Sequence, residues 1–381
     1  MRRFHFPFAE QDDDETVLRK QVRAFLEDER QSGGFVPGAD CWVSGASPEF
    51  SRKLGRKGWL GMTWPKKYGG HERPVSHRLV VTEELLVAGA PVAAHWIADR
   101  QTGGQILNFG TDQQKEQILP KMAAGESYSC IGMSEPQAGS DLAAVQTKAV
   151  KSERGWILSG RKIWTTVAHL SDYMIVLART SPAEGRNRHI GLSQFLVDLK
   201  LPGIEISGIR DVEGNVHFNE VLFEDVALTD DALLGTEGNG WAQCMGELAM
   251  ERSGPERFLT TFILLEKAVD ALRDSFPPTV LGKLIARVQT LRAMSRGIAK
   301  KIQNGEKPDT EAALVKQLGN AFEKQLFAEI RSLIATRPDT EIPMGLLVLR
   351  DQTQLRLPSH TLRGGTTEIL RGIIARQLGV R

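Results

Sequence analysis

Apolar positions along the chain recur first at helical spacing, then at strand spacing, then at helical spacing again. From about residue 14 to 125, Thr16 to Arg30 sets Val17, Val22, Phe25 and Leu26 against a charged face, and Val80 to Ala88 is an apolar stretch enclosing Glu83 and Glu84. Loops are predicted at Gly33-Gly34, Trp64 to Gly70 and Gly103-Gly104. Thr111 with Gln114 predicts a capping box that opens a helix running toward Leu119 and Pro120.

Between about 126 and 235 the period shortens. Thr147 to Val150, a turn through Ser152 to Gly155, and Trp156 to Ser159 predict a hairpin. Tyr173 to Ala178 has the composition of a buried strand, Ile204 to Ser207 alternates, and Asn219 to Val226 closes the block. After Gly235 to Gly240 the helical period returns, predicting helices over Trp241 to about Phe276, Gly282 to Gln303 and Thr310 to Ala335. The expected organisation is a helical domain over 1–125, a β domain over 126–235 and a helical bundle over 236–381.

Composition adds exclusions. With 41% apolar residues, 25% charged and a net charge of +1, the chain reads as soluble, with no basic stripe for nucleic acid. No run approaches a membrane span, and the start passes into the acidic Gln11 to Glu15 instead of an apolar signal core, so a cytoplasmic protein is expected. Cys41, Cys130 and Cys244 have neither metal-ligand nor redox spacing, and no metal site is expected.

Candidate chemistry concentrates in Ser129 to Asp141. Glu135-Pro-Gln-Ala-Gly-Ser-Asp141 describes a tight polar turn at a strand end, where small residues let a bulky ligand approach the backbone. Downstream lies Arg161-Lys-Ile-Trp-Thr-Thr166.

These motifs, in this order, resemble the acyl-CoA dehydrogenase family of flavoenzymes. The resemblance also rests on Gly58-Trp-Leu-Gly-Met-Thr-Trp-Pro-Lys-Lys-Tyr-Gly-Gly70, Gly110-Thr-Asp-Gln-Gln-Lys115, Gly282-Lys-Leu284 and Gly365-Thr-Thr-Glu-Ile-Leu-Arg371, and so covers almost the whole chain. It implies an α+β fold with an N-terminal helical domain, a central β-barrel-like domain and a C-terminal four-helix bundle. It also implies FAD, and an α,β-dehydrogenation of acyl-CoA thioesters that passes electrons to an electron-transfer flavoprotein.

Site residues follow from the matched positions. Ser134 and the backbone from Ile131 through Met133 match the pyrimidine side of the flavin, Trp164 the residue packing on the ring, and Thr166 the hydroxyl near N5. Gly139, Ser140, Thr165, Thr366 and Glu368 complete the expected cofactor set, with Ser140 also near the pantetheine arm. A tryptophan at a strand end is by itself most often core, and Ser-Asp most often caps a turn.

Two departures from the family pattern matter. Many members place the catalytic glutamate directly before the C-terminal Gly-Thr, where this chain has Gly364. Others place it before an arginine on the first helix after the β domain, which here is Glu251-Arg252. Glu251 is therefore the expected base, because an acyl-CoA α-C–H needs a positioned carboxylate in a dry pocket. Glu247, one turn earlier, is the fallback. Arg252 is expected to order the substrate site, and the Gly364 amide to donate to the thioester oxygen.

The second departure concerns the FAD tail. The family arginine before Phe-Gly-Lys is Pro278 here, and Arg337 to Pro343 replaces its glycine-rich loop, although Gln289 survives. Proline offers a diphosphate neither charge nor N–H. A homologous acyl-CoA dehydrogenase chain supplying that half-site in an α2β2 assembly is the expectation, with self-association as the alternative. The family members built that way make a bulky, steroid-side-chain-like acyl group the expected substrate. Competing readings are a flavin oxidase or monooxygenase of the same fold, and a non-catalytic subunit.

Overall fold

The structure is a computed structural model describing residues 4–183 and 187–380, with only the backbone described for 248–251 and 274. The helices preceding the sheet are α1 (Asp13–Gln31), α2 (Cys41–Ser44), α3 (Pro48–Arg56), α4 (Val75–Val87), α5 (Ala93–Ile97), α6 (Gly103–Phe109) and α7 (Asp112–Ala123). The strands are β1 (Ser129–Gly132), β2 (Lys148–Ser152), β3 (Gly155–Thr166), β4 (Tyr173–Arg179), β5 (Leu192–Asp198), β6 (Ile204–Arg210) and β7 (Val216–Leu228). Then follow α8 (Gly240–Glu251), α9 (Phe262–Leu272), α10 (Pro278–Gln303), α11 (Asp309–Ala335), α12 (Met344–Arg356) and α13 (Thr367–Gln377). The chain folds into two compact units, one formed by residues 1–45, 73–91 and 249–381 and the other by 46–72 and 92–248.

In the first unit α1 packs on α4, α4 on α10, α10 on α11 and α11 on α13. Leu18, Val22 and Leu26 recur every four residues on α1 and are all buried, so one face of the helix enters the core. Asp12 caps α1 by accepting from the Glu15 amide at 2.7 Å. Glu83 and Glu84 lie inside this core because cations converge on them: Arg19 and Arg292 reach Glu83 at 2.7 and 2.9 Å, and Arg23 reaches Glu84 at 2.7 Å. Burying such carboxylates is tolerable only when they are paired.

The second unit is built on a seven-stranded sheet of order β1-β4-β2-β3-β7-β6, with β5 joined to β4. Within β4, Met174, Val176 and Ala178 enter the sheet's main core beside Trp156, Phe195 and Phe223. Ile175, on the opposite face, packs with Trp64, Tyr68, Leu119 and Met122 under the helices. Covering both faces explains the unbroken apolar run of this strand, which pairs in parallel with β1. Thr111 and Gln114 form the expected capping box on α7.

The helix expected from Trp241 to Phe276 is two helices. Gly254 and Pro255 separate α8 from α9, since proline cannot donate the helical hydrogen bond and clashes with the preceding turn. Strand β1 is the strand whose end the polar turn marks, whereas β5 has no counterpart among the elements expected from the sequence. All three cysteines are buried and free.

Candidate active site

In the second unit β1 ends at Gly132 and the chain turns tightly, with Glu135 N–H donating to the Ala138 carbonyl at 2.9 Å and Ala138 N–H returning to Glu135 at 3.0 Å. Ile131, Met133 and Ser134 are half-buried, whereas Gly139 and Ser140 are exposed. Among the described residues, none beyond its chain neighbours has an atom within 4 Å of where a Gly139 side chain would begin, so the backbone there is open to a ligand. Asp141, expected only as a capping partner of Ser140, holds Arg188 through two bonds of 2.8 and 3.0 Å.

The turn is fastened to β3 by the Ile163 amide, which donates to the Ser134 carbonyl at 3.0 Å. On β3, Trp156, Leu158 and Lys162 point inward, and plain alternation would send Trp164 inward too. A shift in pairing prevents this: Lys162 faces Val221 but Thr165 faces Asn219, so β3 carries one extra residue at Ile163-Trp164. Trp164 occupies that bulge with φ +60° and is 57% exposed, its ring meeting Phe218 edge-on at 5.9 Å. Thr165 turns inward instead and Thr166 is half-buried. The enclosed Thr165 hydroxyl has no hydrogen-bond partner among the described residues.

This edge therefore presents an open indole and the Ser134 and Thr166 hydroxyls. A flat, mostly apolar heterocycle with polar edges needs that donor set, so the residues fit a flavin ring.

Sequence reasoning missed the group beneath it. Lys162 is fully buried and donates to Glu135 at 2.7 Å and to the Met133 carbonyl at 3.1 Å. Burial pushes its ammonium down to about 8. Burial alone would raise the Glu135 carboxyl, but Lys162 and neighbouring donors hold it below the ordinary carboxylate range.

Glu247, on the part of α8 within this unit, is buried and accepts from Gln101 Nε2 at 3.1 Å. Glu251 ends α8, and its side chain lies outside the described residues.

In the first unit Gly364 and Gly365 form a turn with φ of +66° and +103°. Buried Arg252 donates through Nε to the Gly364 carbonyl at 3.0 Å, and fully enclosed Lys316 donates to the Gly365 carbonyl at 2.8 Å. Arg363, beside the turn, is tied to buried Asp40 at 2.7 Å and lies over the Trp42 ring. Thr366 caps α13 by accepting from the Ile369 amide at 3.3 Å. The Glu368 carboxyl is lowered by backbone and Thr366 hydrogen bonds at this exposed helix start. Pro278 is the first residue of α10.

Helices, a curled sheet and further helices carrying these motifs define an oxidoreductase of the acyl-CoA dehydrogenase type. Residues 12–126 match the acyl-CoA dehydrogenase N-terminal domain and residues 130–226 the middle domain, and the chain belongs to this family. Acyl-CoA dehydrogenase IpdE1 of Mycobacterium tuberculosis is 32% identical over 379 residues, 95% of this chain and 96% of that protein. The rat mitochondrial long-chain specific acyl-CoA dehydrogenase is 32% identical over 289 residues, 72% of this chain and 64% of that protein. Among solved structures, the Tcur3481-Tcur3483 steroid acyl-CoA dehydrogenase superposes with a TM-score of 0.83 at 25% identity, covering 97% of this chain and 98% of that one. The ChsE4-ChsE5 complex from Mycobacterium tuberculosis gives 0.81 at 25% identity, covering 98% and 99%. Among the described residues no helix is long and apolar enough to cross a membrane.

Proposed function

We propose that the chain is an FAD-dependent dehydrogenase that converts an acyl-CoA thioester to its 2,3-enoyl-CoA. The observation that carries this reading is the open face of Ser134, Trp164 and Thr166, with the bulge that turns Trp164 outward. FAD, when bound, supplies the acceptor for the substrate's β-hydride.

The chain's own residues do the rest. Glu251 takes the α-proton, and the Gly364 amide donates to the thioester oxygen as the α-carbon becomes electron-rich. Arg252 and Lys316 hold the Gly364 and Gly365 carbonyls, and so anchor the two peptide units that directly follow the Gly364 amide. Glu247, already accepting from Gln101, is the weaker candidate for the base. Ser140 lies on the exposed stretch of the turn, as a contact to the pantetheine arm requires.

Pro278 at the start of α10 and the glycine-poor stretch at 337–343 support pairing with a homologous chain that holds the FAD diphosphate. The likeness to a steroid acyl-CoA dehydrogenase supports a bulky or branched acyl group. An electron-transfer flavoprotein is the proposed acceptor, and a cytoplasmic location the proposed setting.

Glu251→Gln tests the mechanism. With FAD content unchanged, the rate of dehydrogenation measured with an artificial acceptor should fall by about 10²–10⁴-fold, the usual contribution of a general base. An unaltered rate removes Glu251 from the chemistry, and a loss confined to Glu247→Gln assigns the proton transfer one turn earlier. Full FAD occupancy in the chain purified alone would remove the heteromeric assembly.

A further inference from the structure

A lysine with no solvent exposure in mid-strand is expensive to bury, and Lys162 follows the inward apolar Trp156 and Leu158 on the same strand. Its partner Glu135 is enclosed as well, and the carboxylate collects four donors. Lys162 reaches it at 2.7 Å, Gln137 Nε2 at 2.6 Å, the Gln146 amide at 2.7 Å and the Thr147 amide at 2.9 Å. Buried ion pairs of this kind are often replaceable by packed apolar residues without loss of stability, so folding alone gives a weak reason to keep one.

Position gives a stronger reason. The carbonyl that Lys162 holds at 3.1 Å belongs to Met133, the residue before Ser134, and Lys162 itself lies two residues before Trp164. One ammonium thus joins the turn bearing a hydroxyl to the strand bearing the indole. The lysine stem also fills the space beside the turn, since a side-chain carbon on Gly132 would come within 3.0 Å of Lys162 Cγ.

We propose that Lys162 and Glu135 are positioning residues for the flavin, their ion pair setting the Ser134 turn against the bulged end of β3 so that the cradle is formed before the cofactor arrives. The proposal rests on the flavoprotein reading given above. A preformed cradle binds more tightly because ordering is not charged to the binding step. Without the pair, the same contacts are available only after the turn has been fixed.

The test is a double-mutant cycle with Glu135→Gln, Lys162→Met and the combined variant, run on the full-length apoprotein and on its complex with the homologous chain, with lumiflavin as a second ligand that needs only the ring site. FAD affinity is read by flavin fluorescence, cradle geometry by the visible circular dichroism of the bound flavin, and folding by the thermal midpoint of the apoprotein. Each single change should weaken FAD about tenfold or more and alter the flavin dichroism, and the combined variant should bind no worse than the weaker single one. Glu135→Gln, nearly isosteric, keeps the measurement available if Lys162→Met does not fold. Lower midpoints with unchanged affinity and dichroism in the folded protein would make the pair merely structural and overturn the proposal. Equal affinity in all four proteins would do so too. If the wild-type chain binds neither FAD nor lumiflavin, alone or assembled with its homologous partner chain, the flavoprotein reading itself fails and the proposal with it.

Discussion

The Arg252 guanidinium donates to the main-chain carbonyl of Gly364 at 3.0 Å, across 112 residues of sequence. Because a peptide is planar, pinning that oxygen fixes the unit that runs on to the Gly365 N–H, and so anchors the turn whose Gly364 amide is proposed to meet the thioester oxygen. Replacing Arg252 by Gln removes a charged donor worth about 1.5–3 kcal/mol to a carbonyl. The expected result is a kcat at least tenfold lower on acyl-CoA with FAD content retained, measured by steady-state kinetics and absorbance. Unchanged kcat, KM and thermal midpoint together would show that the turn does not depend on Arg252.

Two glycines near the C-terminus should respond oppositely to the same substitution. A side chain on Gly365 would sit at φ +103° and press to 3.1 Å from Arg252 Nη2. Gly365→Ala is expected to destabilise by about 1–3 kcal/mol, the usual cost of such backbone strain. Gly372 lies within α13 and, outside that helix's own backbone, has no atom of the described residues within 4 Å of its missing side chain. Gly372→Ala is expected to stabilise by about 0.5–1 kcal/mol through helix propensity. Urea denaturation of the two variants reads both signs.

Trp164 is held at φ +60°, a conformation that suits glycine better than any L side chain. Trp164→Gly should therefore leave the apoprotein at least as stable, by up to about 1 kcal/mol, while weakening FAD binding. Apoprotein melting and an FAD titration are the two measurements. A marked loss of stability would mean that the indole edge on Phe218 is worth more than the relieved strain.

His95 supplies an acid-sensitive element. It is buried, 2.8 Å from the Ser51 hydroxyl, and burial pushes its imidazole from 6.5 down to about 3. Between those values the unfolded chain binds a proton that the folded chain refuses, so stability is fully present above pH 6.5 and is lost as pH falls toward 3. His95→Gln, which keeps a polar partner for Ser51, should flatten that acid limb of stability. Denaturant midpoints at several pH values between 7 and 4 would show it, and an unchanged slope would count against the assignment.

The long helices were legible because their apolar period is sustained, as in Val22 and Leu26 of α1, although Leu18 lines the core there and Val17, read onto the apolar face, is exposed. The break at Gly254-Pro255 was hidden inside a strongly helical composition on both sides. Glu83 and Glu84 could be seen within an apolar stretch, but the arginines that make them tolerable come from α1 and α10, far away in sequence. Lys162 was read only as part of a motif, because a charged strand residue ordinarily points to water and its partner is 27 positions upstream. The individual site residues came from resemblance. Periodicity alone would have placed Trp164 in the core, and only the pairing of β3 with β7 shows why it is not.

That bulge makes presentation a matter of counting. Residues of β3 before Ile163 keep one parity and residues after Trp164 keep the other, so Thr165 faces inward and Thr166 reaches the open side. Regular pairing of β3 with both residues kept would exchange the two threonines and draw the indole under the sheet, whereas removing either Ile163 or Trp164 would leave Thr165 facing inward and Thr166 on the open side. The side each threonine takes is thus set by two residues of β3 standing opposite one of β7.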